Sequence, residues 1–258
     1  MNQTPTKLTG YLIDLDGTVY VGDRPIPGAV ETINRLRERG VPFRFTTNTT
    51  TKSLATLHTR LCDIGLPVEP GEIFGVIKAA VAFLRRKGVP RCQLLLTDDP
   101  KQDFNVFPQD DVTPEYIVIG DIGKYWDYKL VNDLFRKVMN GAEMIALHKG
   151  RYWQTENGLQ VDIGAFVAGL EYVTGKQATV IGKPSESFFR LALDDLGLPA
   201  ERVAMVGDDL LSDIGGAQAV GMKGILVKTG KYREEFVAGS EIKPELVIEL
   251  VAELVADM

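Results

Sequence analysis

An α/β fold built on a largely parallel sheet is what this 258-residue sequence predicts, and three observations predict it. Strand-like runs alternate with helical ones from end to end. The first strand, within "LTGYLIDL", is apolar almost without interruption, as a strand covered on both faces should be. Several strands then end in acidic, hydroxyl or lysine side chains, and that is the edge at which parallel sheets bind ligands.

The first strand closes on Asp14 and Asp16, with Gly17 and Thr18 following at once. From Pro27, "PGAVETINRLRERG" sets Val30, Ile33 and Leu36 at helical spacing and stops at Gly40, a favourable C-terminal signal. "VPFRFTTN" reads as the second strand, ending in Thr47 and Asn48. "SLATLHTRLCDIG" reads as a helix, with Leu54, Leu57, Leu61 and Ile64 spaced three, four and three. His58 lies off that stripe and is expected to be solvated. Cys62, inside the pattern, and Cys92, at a strand start, are both expected to be structural.

In the middle, "CQLLLT", "EYIVIG" and "EMIALH" read as strands set among longer loops such as "DDPKQDFNVFPQDDVTP". A loop of that length does not suit a compact unit. Residues 79–177 are therefore read as an inserted α/β domain, and 1–78 with 178–258 as a Rossmann-like core. The last third reads as strand "TVIGKP", helix "SESFFRLALDDLG", strand "RVAMVGD", short helix "SDIGGAQAVG", strand "GILV" and closing helix "ELVIELVAELV".

Composition narrows the function. Hydrophobic residues make up 45% and charged residues 25%, enough apolar material for a sizeable core. A net charge of -6 without a basic stripe argues against nucleic acid as a partner. Two cysteines are too few for a disulfide framework or a thiolate zinc site. The polar N-terminal segment has no apolar signal core, and no run approaches the ~20 apolar residues of a membrane span. A cytoplasmic location is expected, with no membrane partner.

Four of the strand ends carry the groups that a phosphate and a divalent cation need. They are Asp14 and Asp16, Thr47 and Asn48, Lys183, and Asp208. Like charges as close as Asp14 and Asp16 require a shared cation or proton. Carboxylate oxygens suit Mg²⁺, a lysine supplies a point charge for a phosphoryl group, and hydroxyl or amide donors serve its remaining oxygens. An aspartate attacking phosphorus would split a hard hydrolysis into two steps.

"DLDGT" at Asp14, "TTN" ending at Asn48, "GKP" at Lys183 and "GDDLLSD" from Gly207 to Asp213, in that order, resemble the four signature motifs of the haloacid dehalogenase superfamily of phosphatases. With "DGTVYVGDRPIPGA", "TTNTTTKS", "ALHKGRYW" and "GGAQAVGMKGILVKTGKY", the chain resembles the subfamily with an α/β cap between the second and third motifs. That subfamily holds N-acetylglucosamine-6-phosphate phosphatase-like, 4-nitrophenylphosphatase-like and phospholysine/phosphohistidine/inorganic pyrophosphate phosphatase-like proteins. The resemblance implies a Mg²⁺-dependent phosphatase acting on a small phosphorylated substrate through an aspartyl-phosphate.

It implies Asp14 as nucleophile and Asp16 as general acid and base. It implies Thr47, Asn48 and Lys183 as phosphoryl-binding groups, and Asp14, the backbone carbonyl of Asp16 and Asp208 around Mg²⁺. Asp213 would orient a metal-bound water or Lys183 from behind, its rival role being a carboxylate at a helix N-terminus. Thr47 could also cap the next helix. The cap candidates are His148, Lys149, Arg151, Tyr152 and Trp153, and the segment from Asp162, each with a plain structural rival. Relatives with such a cap often pair through it, so a homodimer is expected by resemblance. The alternatives are a phosphotransferase or mutase with the same nucleophile, and a receiver-like module that is phosphorylated without turnover. A receiver needs about half this length and has no use for the acid at Asp16.

Overall fold

The computed structural model describes residues 7–155 and 158–255, the side chains of 153–155 and 255 excepted. Its contacts divide the chain into two units. One holds the residues up to Thr47, Leu57–Gly75 and those from Lys183 on; the other holds Asn48–Thr56 and Val76–Gly182.

The first unit is a six-stranded parallel sheet. Its order is Leu246–Ile248, Lys223–Val227, Val203–Gly207, Gly10–Asp14, Phe43–Thr47, Ile73–Gly75. Gly10–Asp14 and Val203–Gly207 are buried at every position, which is why they read as continuous apolar runs rather than alternating ones. Strand order reverses between these two, since the chain first builds outward from Gly10–Asp14 on one side and returns on the other. The crevice beyond that reversal point is where open α/β sheets bind ligands. Helix Ala29–Glu38 buries Ala29, Thr32, Ile33 and Leu36, and helix Glu186–Leu196 buries Phe188, which meets Phe74 edge-on at 5.6 Å.

The second unit is a four-stranded parallel sheet ordered Thr179–Val180, Glu143–Ala146, Tyr116–Ile119, Cys92–Leu95. Ile117, Ile119 and Met144 pack with Leu134 and Val138 of helix Tyr128–Met139 and with Val167 and Leu170 of helix Gly164–Thr174.

Several expectations need correction. The "TVIGKP" strand belongs to the second sheet, because Thr179–Val180 pairs with Ile145 and Ala146; Lys183 therefore follows a strand of the other unit. The boundaries shift with it, to Val76 and Gly182, and Asn48–Thr56 joins the second unit. "ELVIELVAELV" is not a helix throughout. Leu246–Ile248 extends the first sheet beside Ile225–Val227, and only Val251–Val255 is helical, as a 3₁₀ turn. The long middle loop holds a helical turn at Asp98–Lys101 and a 3₁₀ turn at Gln102–Phe104, with Phe104 and Phe107 buried. Tyr152–Thr155 and Gly158–Val161 form a hairpin that was not expected. Cys62 is exposed, one position round from the buried Leu61, whereas Cys92 is buried. His58 is half-buried, with Nε2 2.9 Å from the Val68 carbonyl.

Candidate active site

Asp14 ends the central strand and Asp208 follows its neighbour, so the two carboxylates flank the reversal point from adjacent strands. Asp213 reaches the same place from the Leu210–Gly215 turn of π-helix, whose N-terminus Asp209 caps by accepting the Leu211 and Ser212 N–H groups. Asp14, Asp208 and Asp213 are all buried, and each offers a carboxylate oxygen within 4.8 Å of the others.

Lys183 supplies a buried cation. Its Nζ donates to Asp14 Oδ1 and, at 2.7 Å, to Asp213 Oδ1. Asp213 Oδ2 also accepts the Asp209 N–H at 3.2 Å. Three buried carboxylates therefore face one buried ammonium. Burial pushes Asp208 up to about 6, with the Lys231 N–H pulling the other way. Burial pushes Asp213 up to about 7 against the pull of Lys183, with the Asp14 charge adding to the rise. Asp14 is also raised, by burial first, despite Lys183. For Lys183, burial opposes the charge, but Asp14 and Asp213 outweigh it and hold the ammonium protonated well above the ordinary lysine range.

An all-oxygen donor set in charge deficit fits a hard divalent cation, because such an ion relieves the repulsion that burial has concentrated. Zinc-type chemistry has no support here, for neither histidine nor cysteine joins the cluster.

The remaining expected residues are placed as follows. Thr47 is buried at the end of its strand, one residue past Thr46, the register partner of Asp14. Asn48 follows directly and belongs to the second unit, where a Cβ at Gly182 would lie 2.7 Å from its Oδ1. Asp16 is exposed and forms an isolated bridge with Tyr20; its carboxylate stands outside the buried cluster. Asp213, expected behind the site, lies in the cluster itself.

The segment after strand Lys223–Val227 went unassigned in the sequence. Thr229 donates its hydroxyl to the Gly17 carbonyl, and the Lys231 N–H donates to Asp208 Oδ2 at 2.7 Å. The signal was present, since "TGK" is polar sequence just beyond a core strand, the same rule that singled out Asp14 and Asp208. In the second unit His148 sits 3.7 Å from Asp162, and Lys149 pairs with Glu171 at 2.7 Å, so both have structural partners. Arg151 and Tyr152 are exposed, and the Trp153 side chain lies outside the described residues.

A family profile described as haloacid dehalogenase-like hydrolase matches residues 11–105, and one described as HAD-hydrolase-like matches 180–254. The chain is 44% identical over 226 residues to human haloacid dehalogenase-like hydrolase domain-containing protein 2, covering 88% of this chain and 86% of that one. It is 36% identical over 252 residues to bovine phospholysine phosphohistidine inorganic pyrophosphate phosphatase, covering 95% and 92%. Among solved structures, a p-nitrophenyl phosphatase from Archaeoglobus fulgidus superposes with a TM-score of 0.90 at 29% identity, covering 98% of this chain and 100% of that one.

Proposed function

The chain belongs to the haloacid dehalogenase-like hydrolases, and on that premise we propose that it is a Mg²⁺-dependent phosphatase hydrolysing small phosphorylated molecules through an aspartyl-phosphate. The observation that carries this reading is Asp14, buried at the reversal point, bonded to a buried Lys183 and clustered with Asp208 and Asp213.

Asp14 attacks phosphorus, forming an acyl-phosphate bond as the bond to the leaving oxygen breaks. Asp16 gives its proton to that oxygen; its exposure leaves it open to exchange with solvent. Water then attacks the phosphorus of the acyl-phosphate, Asp16 takes the water's proton, and phosphate departs with Asp14 restored. Lys183 offsets the charge of Asp14 and of the phosphoryl oxygens, while Thr47 and Asn48 donate to those oxygens. Asp213 holds Lys183 in register. Mg²⁺, held by Asp14, Asp208 and the Asp16 carbonyl, would supply charge neutralisation of the phosphoryl group.

The second unit serves in this reading as the cap whose loops select the substrate, and two copies pair through it; a monomer mass by light scattering removes the pairing. A cytoplasmic setting belongs to the same reading. Among the described residues, no helix is long and apolar enough to cross a membrane.

The test is turnover of 4-nitrophenyl phosphate with Mg²⁺, loss with EDTA and recovery on adding the metal back. Acid quenching during turnover should trap phosphoprotein in the wild type and none in Asp14→Asn. Turnover by Asp14→Asn at the wild-type rate overturns the nucleophile.

A further inference from the structure

Asp208 is held by more than its own strand. Its Oδ2 accepts the Lys231 N–H at 2.7 Å. The same oxygen lies against two glycines on different loops, Gly17 at φ +88 and Gly230 at φ +55, and a Cβ on either would fall well inside contact distance of it. The Thr229 hydroxyl ties this loop to the Gly17 carbonyl, and Lys231 Nζ pairs with Asp209 Oδ2 at 3.2 Å. Asp209 in turn caps the turn that carries Asp213. Three residues thus touch both segments that bring carboxylates to the site, the loop after Asp14 and the run from Asp208 into the turn that carries Asp213.

We infer that Thr229–Gly230–Lys231 is a positioning clamp that engages Oδ2 of Asp208, turns Oδ1 towards a metal, and so biases the site for Mg²⁺ over Ca²⁺. This rests on Asp208 being a cation ligand. The chemistry follows from the ions. Mg²⁺ is satisfied by single carboxylate oxygens in a tight shell completed by water, whereas Ca²⁺ takes six to eight oxygens and accepts both oxygens of one carboxylate. A carboxylate with one oxygen bonded to backbone and crowded by two glycines is biased towards offering its other oxygen alone. The positive φ at Gly230 adds a second constraint, since a side chain there is strained in any case. Gly230→Ala must therefore shift the loop, and the carboxylate with it.

The experiment is direct titration of Mg²⁺ and Ca²⁺ into metal-free protein by calorimetry, with thermal melts to establish folding. In Gly230→Ala, Mg²⁺ affinity should fall roughly 10–100-fold, the range typical of groups that orient metal ligands, and Ca²⁺ affinity should fall less. A folded Gly230→Ala that keeps the wild-type Mg²⁺ affinity overturns the clamp, and so does equal loss for both ions. If Gly230→Ala does not fold, Thr229→Val decides, because it removes the tie to Gly17 and leaves the backbone at Gly230 intact. A shift of preference towards Ca²⁺ in that variant supports the clamp, and an unchanged ratio overturns it. Wild-type protein that binds neither ion overturns the metal reading itself, a separate result.

Discussion

The carboxylates of the two units mostly run in opposite directions, Asp103 of the second unit being the exception, raised by burial although it accepts the Leu54 N–H. In the second unit Asp99 accepts the Ser53 N–H and bonds from the Ser53 and Thr56 hydroxyls, and these donors, the backbone one foremost, hold it below the ordinary range. Asp110 does the same for Val112 and Thr113, and Asp127 caps a helix through the Leu130 N–H. In the first unit Asp14, Asp208 and Asp213 are buried with one ammonium among them and are held above that range. Asp209, a few ångströms away, behaves like the second unit: burial raises it, but backbone donors and Lys231 win and it ends low. The lesson is that the balance of donors against burial, not proximity to the site, separates a carboxylate held below its ordinary range from one held above it.

The largest test of that contrast is a pair of substitutions. Asp14→Asn should lower kcat by at least about a thousandfold, in line with removal of a nucleophile. Asp99→Ala should cost about 1 kcal/mol of stability, as lost caps do, and leave kcat within about twofold. Denaturant melts and initial rates measure both, and an inactive, stable Asp99→Ala would break the contrast.

Next in size is Lys183→Met, which strips the cluster of its ammonium. Breaking a buried pair in this way costs about 3–5 kcal/mol, and the loss should be greatest at pH 8 and shrink towards pH 5.5, where the carboxylates take up protons. A loss independent of pH would show that packing, not charge, is what Lys183 contributes.

The third prediction sets the two units against each other in sign. Between about pH 4 and 7 the folded metal-free protein holds protons on Asp208 and Asp213 that the unfolded chain has shed. Raising the pH across that window should therefore lower stability, by up to about 3 kcal/mol for Asp208 alone, and Mg²⁺ at pH 7.5 should restore it. His148 runs the other way. Burial outweighs Asp162 and Asp121 and holds its ring below the ordinary histidine range, so its contribution is lost as the pH falls below about 6.5. Melts of His148→Gln against wild type across pH 5 to 8 should isolate that slope.

The smallest effect is in the thiols. Burial pushes Cys92 up to about 11, and Cys62 is exposed. A thiol reagent at pH 7.5 should label one cysteine in native protein and both in denaturant; rapid labelling of both would mean that the second sheet opens readily.

Much of this was legible in the sequence, and the failures share a cause. Asp14 and Asp208 could be read because burial on both faces leaves a continuous apolar run and the first polar residue marks its end. Lys183 was assigned to the site on a faulty premise, since nothing local in "TVIGKP" says which sheet Thr179 and Val180 will join. "ELVIELVAELV" carries helical spacing and β-branched residues together, and pairing with Ile225–Val227 decides between them. The hairpin at Tyr152–Val161 had a local signal, Asn157–Gly158 between two β-prone runs. Thr229 and Lys231 carried the strand-end signal, but their partners, the Gly17 carbonyl and Asp208, come from other strand ends, so their roles could not be read locally.

The central strand also sets a timetable for biosynthesis. Gly10–Asp14 pairs on one side with Phe43–Thr47 and on the other with Val203–Gly207. The second partner leaves the ribosome roughly 160 residues after the first, which at ~5–20 residues per second is on the order of ten to thirty seconds. Through that interval a nascent chain carries a strand that is buried at every position in the finished fold with one edge bare, a surface that invites pairing with the wrong chain. Asp14, at the tip of that edge, lacks Lys183 for most of that interval and Asp208 until its end. Ribosome-bound chains halted before Val203 should therefore recruit chaperones and aggregate on release, and chains extended past Val227 should not.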